Sequence, residues 1–205
     1  MSVKVKICGI TNATDANAAV KSGADVLGFV FCPKSPRCVA LDVAAGIIRA
    51  LPPFVVKAGV FVDAKENFVE RAVNACGLNL LQFHGHESPD YCLQFGVMSI
   101  KAFRIRDAGF LDEIPSYKTD AWLLDAWSPA RTGGTGEAFN WDLAIRANQF
   151  GRPIFLAGGL TPENVGEAIR KVRPYAVDVS SGVESAPGKK DHRKLKAFLD
   201  AAKSA

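Results

Sequence analysis

No apolar run in this chain of 205 residues approaches the roughly 18 residues needed to cross a bilayer. The N-terminus lacks the basic region, apolar stretch and small-residue cleavage site of a signal peptide, opening instead on the alternating Val3-Lys4-Val5-Lys6. Both absences predict a cytoplasmic protein with no membrane partner. Dense blocks of one charge are missing as well. The 25 basic and 21 acidic residues are scattered, with a formal net charge of +4, so no nucleic-acid partner is expected. The five cysteines are odd in number and contain no CxxC pair, which argues against a disulfide framework or a zinc site and predicts reduced, mostly buried thiols. Three dispersed histidines give no metal spacing, and neither a P-loop ending nor a GxGxxG after the first strand is present. Linkers, low-complexity tracts and sequence-level repeats are also lacking, so residues 1–205 read as one domain.

What is present is a rhythm. Short β-like runs occur at 3–8, 25–31, 55–62, 79–84, 98–104, 121–125, 153–157 and 176–180, each followed by a helix-like stretch. Units of about 25 residues approach the minimum for a βα pair. Asp63 with Glu66, Ser88-Pro89 and Thr161-Pro162 are read as helix starts, and Gly23, Gly77 and Gly96 as left-handed closures. Leu195, Phe198, Leu199 and Ala202 predict one apolar face of a final helix.

Strand parity narrows the fold. Val3, Val5 and Ile7 share one face of the first strand, opposite Lys4, Lys6 and Cys8; Leu81 and Phe83 oppose Leu80, Gln82 and His84; Val177 and Val179 oppose Asp178 and Ser180. One apolar face plus a second face that turns polar toward the strand C-terminus predicts an α/β fold, a closed (β/α)8 TIM barrel with its site at that end. An open doubly wound sheet would gather its ligand residues at one crevice instead.

Candidate residues therefore lie at strand ends. Cys8 ends the first strand beside Gly9; it is either a buried structural thiol or a thiolate stabilised by Lys6, Arg37 and converging amides. Asp125 follows the apolar Trp122-Leu123-Leu124 and reads as a catalytic carboxyl or a loop former. A thiol and a carboxyl on separate strands could take and give protons across one substrate. Gly158-Gly159 after the seventh strand and Ser180-Ser181-Gly182 after the eighth could present amides to an anion, where barrel phosphate sites commonly sit. Arg37, in a proline-stiffened loop, could clamp a carboxylate or be a solvated charge. His84 reads more readily as a hydrogen-bonding group than as a base. The Gly133-Gly134-Thr135-Gly136 loop reads as a mobile cover or a plain surface loop. Pro52-Pro53-Phe54 could pack on a partner, leaving monomer or homodimer open.

Taken together, Val5-Lys6-Ile7-Cys8-Gly9-Ile10-Thr11, Lys34-Ser35-Pro36-Arg37, Leu81-Gln82-Phe83-His84-Gly85, Leu124-Asp125, Ala157-Gly158-Gly159-Leu160 and 178–184 resemble the phosphoribosylanthranilate isomerases of tryptophan biosynthesis. Pro187-Gly188-Lys189-Lys190-Asp191 matches too, and the likeness spans essentially the whole chain. The resemblance implies an Amadori rearrangement of a small phosphosugar substrate to the carboxyphenylamino-deoxyribulose phosphate. By it, Asp125 is the general acid that opens the ribose ring and Cys8 the general base at C2′. Arg37 would hold the anthranilate carboxylate, Asp178 a sugar hydroxyl, with His84, Gln82 and Lys6 also at the substrate. Amides at Gly158, Gly159, Ser180, Ser181 and Gly182 would hold the phosphate. No cofactor or metal is implied. Cys38 departs from the family's usual aromatic residue, and Asn140 from its usual Asp.

Alternative readings are an indole-glycerol-phosphate synthase-like lyase, a histidine-pathway isomerase and a non-catalytic phosphometabolite sensor. The lyase family carries an N-terminal helical extension and a Lys–Glu set. The histidine-pathway enzymes place Asp at Cys8 and have two phosphate sites. A sensor has no need of both Cys8 and Asp125.

Overall fold

The computed structural model describes residues 2–105, 108–126 and 141–205. Eight parallel strands close into a barrel in sequential order, the first paired with the last. They are β1 (Lys4–Cys8), β2 (Val26–Val30), β3 (Val56–Phe61), β4 (Leu80–Phe83), β5 (Met98–Ile105), β6 (Ala121–Ala126), β7 (Ile154–Ala157) and β8 (Ala176–Val179). The helices between and after them are α1 (Ala13–Lys21), α2 (Leu41–Arg49), α3 (Glu66–Cys76), α4 (Pro89–Leu93), α5 (Phe110–Glu113), α6 (Trp141–Asn148), α7 (Val165–Val172) and α8 (His192–Lys203). A small antiparallel pair, β9 (Glu184–Ala186) and β10 (Lys189–Lys190), lies between β8 and α8. Among the described residues, no helix is long and apolar enough to cross a membrane.

Period-two alternation decides which side chains face where. Val5, Ile7, Leu81, Phe83, Val177 and Val179 belong to the core between strands and helices. The opposite parity supplies a separate barrel interior that includes Val26, Leu80, Ile100, Leu123, Phe155 and Ala176. Phe61 anchors the outer layer, its ring 5.4 Å from Phe31 and 6.3 Å from both Phe68 and Phe83. Burying each such aromatic contributes about 1.5–3 kcal/mol. Leu195, Phe198, Leu199 and Ala202 form the buried face of α8, as their spacing predicts.

Helix ends follow the expected chemistry at some points and depart from it at others. Ser88 accepts from the Tyr91 amide and caps α4, and Gly23, Gly77 and Gly96 all have positive φ. Asp63, expected to cap α3, does not: the N-cap is Lys65, and Asp63 itself has φ 47°. Its carboxylate instead accepts from the His86 amide in the next loop. Thr161 caps only a preceding turn through the Glu163 amide, and α7 begins at Val165 after N-cap Asn164. Of the cysteines, Cys8, Cys76 and Cys92 are buried, Cys32 is half-buried and Cys38 is exposed. Asn140 and the loop at 131–136 lie outside the described residues.

Candidate active site

The strand parity that builds the core also aims the polar set at the C-terminal mouth of the barrel. On β1, Lys6 and Cys8 share the inward face; on β8, Asp178 faces the same way, and register pairs it with Lys6. Lys6 has no exposed surface, and its Nζ donates to Asp178 Oδ1 at 2.9 Å. Lys6 and Cys8 lie side by side on this face, and each bears on the other's ionisation. Burial opposes the Lys6 charge, but Asp178 and Cys8 outweigh it and raise its pKa. Burial pushes the Cys8 thiol up, with Lys6 and Lys190 pulling against that rise and Asp178 adding to it.

Two glycines make room for this packing. A Cβ on Gly28, the register partner of Cys8, would lie 3.0 Å from Cys8 Sγ and 3.1 Å from Lys6 Nζ. Gly9, at φ 78°, turns the chain directly after Cys8, and a Cβ there would stand 2.6 Å from Arg37 Cδ. Arg37 thus lies against the turn that follows the thiol.

The Arg37 guanidinium is already engaged on one edge. Nε and Nη2 grip Glu184 in a fork, at 2.9 Å from Nε to Oε1 and 2.7 Å from Nη2 to Oε2. That leaves Nη1, and the remaining N–H of Nη2, as the edge that can meet a carboxylate. Lys190, fully buried, donates to Glu184 Oε1 at 2.9 Å, to the Cys8 carbonyl at 2.6 Å and to the Ser180 carbonyl at 3.3 Å. Burial lowers the Lys190 pKa. Burial acts to raise that of Glu184, but hydrogen bonds from Arg37 and Lys190 overcome it and hold the carboxyl below its usual range. Sequence reading assigned no role to Glu184 or Lys190. Lys190 stood in a matched motif, yet nothing in its local pattern shows that it reaches back to residue 8.

Across the mouth stands a second group. Two strands, β7 and β8, separate β6 from β1 on the short way round. There His84 Nε2 lies 3.3 Å from Asp125 Oδ2, and Gln82 Nε2 lies 3.1 Å from His84 Nδ1. In the tautomer whose Nδ1 accepts from that amide, Nε2 carries the ring proton and faces Asp125. Among the described residues, the buried Gln82 Oε1 and Ser180 Oγ have no hydrogen-bond partner.

The anion-binding candidates meet where predicted in the chain. Gly158 and Gly159 follow β7 with φ 85° and 66°, and Ser181-Gly182-Val183 form a 3₁₀ turn after β8. The two loops touch: a Cβ on Gly182 would collide with the Leu160 carbonyl oxygen. The two loops therefore meet at one side of the mouth, adjoining Ser180 and the Cys8 strand end.

A thiol beside buried cations, a carboxyl beside a histidine and two glycine loops at the seam together suit acid–base work on an anionic sugar. Comparison with known proteins agrees. The family model for N-(5′-phosphoribosyl)anthranilate (PRA) isomerase matches residues 5–201. An N-(5′-phosphoribosyl)anthranilate isomerase of Geobacter sp. (strain M21) is 56% identical over 200 residues, covering 98% of each chain. The crystal structure of the Thermotoga maritima phosphoribosyl anthranilate isomerase superposes with TM-score 0.93 at 43% identity, covering 99% of this chain and 100% of that one. A phosphoribosyl anthranilate isomerase in complex with reduced 1-(o-carboxyphenylamino)-1-deoxyribulose 5-phosphate gives TM-score 0.90 at 41% identity, with the same coverage. With fold, motifs and near-complete coverage in agreement, the chain belongs to the N-(5′-phosphoribosyl)anthranilate isomerase family.

Proposed function

We propose that Cys8 and Asp125 are the base and acid with which this chain carries out the family's aldose-to-ketose rearrangement of N-(5′-phosphoribosyl)anthranilate. The observation that supports this most is the division of the mouth. One side holds a thiol among buried cations, the other a carboxyl under a histidine N–H. Asp125 gives a proton to the ribose ring oxygen as the C1′–O bond breaks, leaving a Schiff base on the anthranilate nitrogen. His84 Nε2–H then stabilises the carboxylate that Asp125 has become. The Cys8 thiolate removes the C2′ proton, and the electron pair moves to the nitrogen, giving an enol that tautomerises to the ketose.

Arg37 holds the anthranilate carboxylate by the edge that Glu184 leaves open. Asp178, half of a buried pair yet still partly exposed, accepts from a sugar hydroxyl. Gln82 and His84 line the floor. Lys6 acts on substrate through Cys8 and Asp178, since its own ammonium is enclosed. Amides at Gly158, Gly159, Ser180, Ser181 and Gly182 hold the phosphate. The chain works as one barrel domain, as a monomer or a homodimer. Phe54, 97% exposed beside Pro52-Pro53, is the side chain a second copy would cover, and sedimentation of Phe54→Asp against wild type distinguishes the two states.

Loss of substrate fluorescence on adding purified protein tests the assignment. Wild type turns over, whereas Cys8→Ala and Asp125→Asn stay folded and lose roughly 10²-fold or more of kcat. A wild type inactive on this substrate overturns the activity; a fully active Cys8→Ala overturns the role of the thiol.

A further inference from the structure

We propose that Lys190 is a positioning residue for the rearrangement, holding the strand end that carries the base and, through Glu184, the guanidinium that meets the substrate carboxylate as one rigid unit. This rests on Cys8 as the base and Arg37 as the carboxylate clamp. Its basis is the geometry of the barrel seam. The Lys190 ammonium has no exposed surface and spends its donors on the backbone carbonyls that end β1 and follow β8, Cys8 and Ser180, and on Glu184 Oε1. Glu184 Oε1 also accepts from the Gly188 amide at 3.3 Å, and the Arg37 fork spans both carboxylate oxygens. Lys190 is held from behind as well, its own N–H donating to Asp15 Oδ2 at 2.8 Å.

One chain of contacts therefore runs from α1 through β10 to the Cys8 backbone on one side and the Arg37 guanidinium on the other. No substrate contact by Lys190 is needed. Displacement of a reacting group by about 1 Å can cost on the order of 10²-fold in rate, so a device that fixes base and clamp together matters to both kcat and KM.

The ammonium also adds to the charge around the thiol. The charged groups facing Cys8 are Lys6 on β1, Asp178 on β8, Lys190 on β10 and Arg37 in the loop after β2, with Glu184 behind the last two. With all five ionised this cluster holds three cations and two anions, and a Cys8 thiolate brings it to neutrality. Taking away Lys190 removes one of the cations that favour the thiolate.

The test uses the full chain carrying Lys190→Met or Glu184→Gln. Folded Lys190→Met is expected to lose about tenfold or more in kcat, with the acid limb of its pH profile moved to higher pH. In a Cys32→Ser/Cys38→Ser background, the pH midpoint for alkylation of Cys8 by iodoacetamide moves the same way, which a merely structural lysine would not cause. Glu184→Gln, which keeps side-chain size, is expected to raise KM about tenfold by loosening Arg37. Lys190→Met with wild-type kcat, KM and both pH midpoints overturns the proposal. If Lys190→Met does not fold, Glu184→Gln carries the test, and an unchanged KM overturns it. A fully active Cys8→Ala instead removes the underlying reading of the base, and the alkylation shift then still reports on Lys190.

Discussion

His84 Nε2 stands 3.3 Å from Asp125 Oδ2, reaching past β5 from the end of β4 to β6. Gln82, two residues earlier on the same inward face, meets the imidazole Nδ1 from the other side at 3.1 Å. The imidazole is thereby held between Gln82 and the carboxyl proposed as the acid. His84→Ala is expected to lower kcat about tenfold while Asp125→Asn lowers it by about 10²-fold or more, in steady-state assays at neutral pH. An effect of His84→Ala confined to KM would place the histidine at the substrate rather than at the acid.

Gly28 bears on Cys8 through shape alone. Gly28→Ala introduces a methyl 3.0 Å from Cys8 Sγ and 3.1 Å from Lys6 Nζ, tighter than either can accept without moving. The variant should fold, since the strand registers on both sides of β2 are kept, yet lose about tenfold or more of kcat through displacement of the thiol. Circular dichroism beside the activity assay separates this outcome from unfolding.

Lys6 and Asp178 are a buried ion pair, with side-chain exposures of 0% and 10%. Lys6→Met strands a carboxylate in the barrel and should cost about 3–5 kcal/mol in denaturant unfolding. The double variant Lys6→Met/Asp178→Leu should recover most of that loss, because neither charge is then left alone. Equal loss in single and double variants would show that packing rather than charge sets the cost.

Asp15 predicts a dependence on acid. Burial works to raise its pKa, but hydrogen bonds from the Lys190 amide, His192 and Asn12 outweigh it, and the carboxyl titrates below its usual range. A depressed folded-state value means stability that is present above the unfolded pKa of about 3.9 and is lost as pH falls through the folded value. Asp15→Asn should therefore be less stable than wild type at pH ~7, and the gap should shrink below pH ~4. Urea unfolding at those two pH values measures it; a gap that persists in acid would contradict the linkage.

Much of this protein is decided locally. Apolar residues two apart define strands, so Val5-Ile7 and Leu81-Phe83 declare their outward face, and Cys8, Gln82, His84, Asp178 and Ser180 must then point inward. Ser88 before Pro89 starts a helix because its hydroxyl meets a free amide three residues on. Where a nearby loop competes, the local rule fails. Asp63 has cap chemistry, but the His86 amide captures it, and no pattern within residues 63–66 could show that.

Residue types at strand ends, taken one by one, mark the thiol, the carboxyl and the glycine loops as candidates. The contacts of Glu184 and Lys190 are not legible locally, because Arg37 meets Glu184 across 147 positions and Lys190 meets the Cys8 carbonyl across 182. Such pairs form only when closing the barrel joins β1 to β8 and brings opposite ends of the chain together. Periodicity along the backbone sets which way each side chain faces. The Lys190 and Glu184 charges near Cys8, and the edge of Arg37 that Glu184 leaves open, are set by neighbours that only the closed barrel supplies.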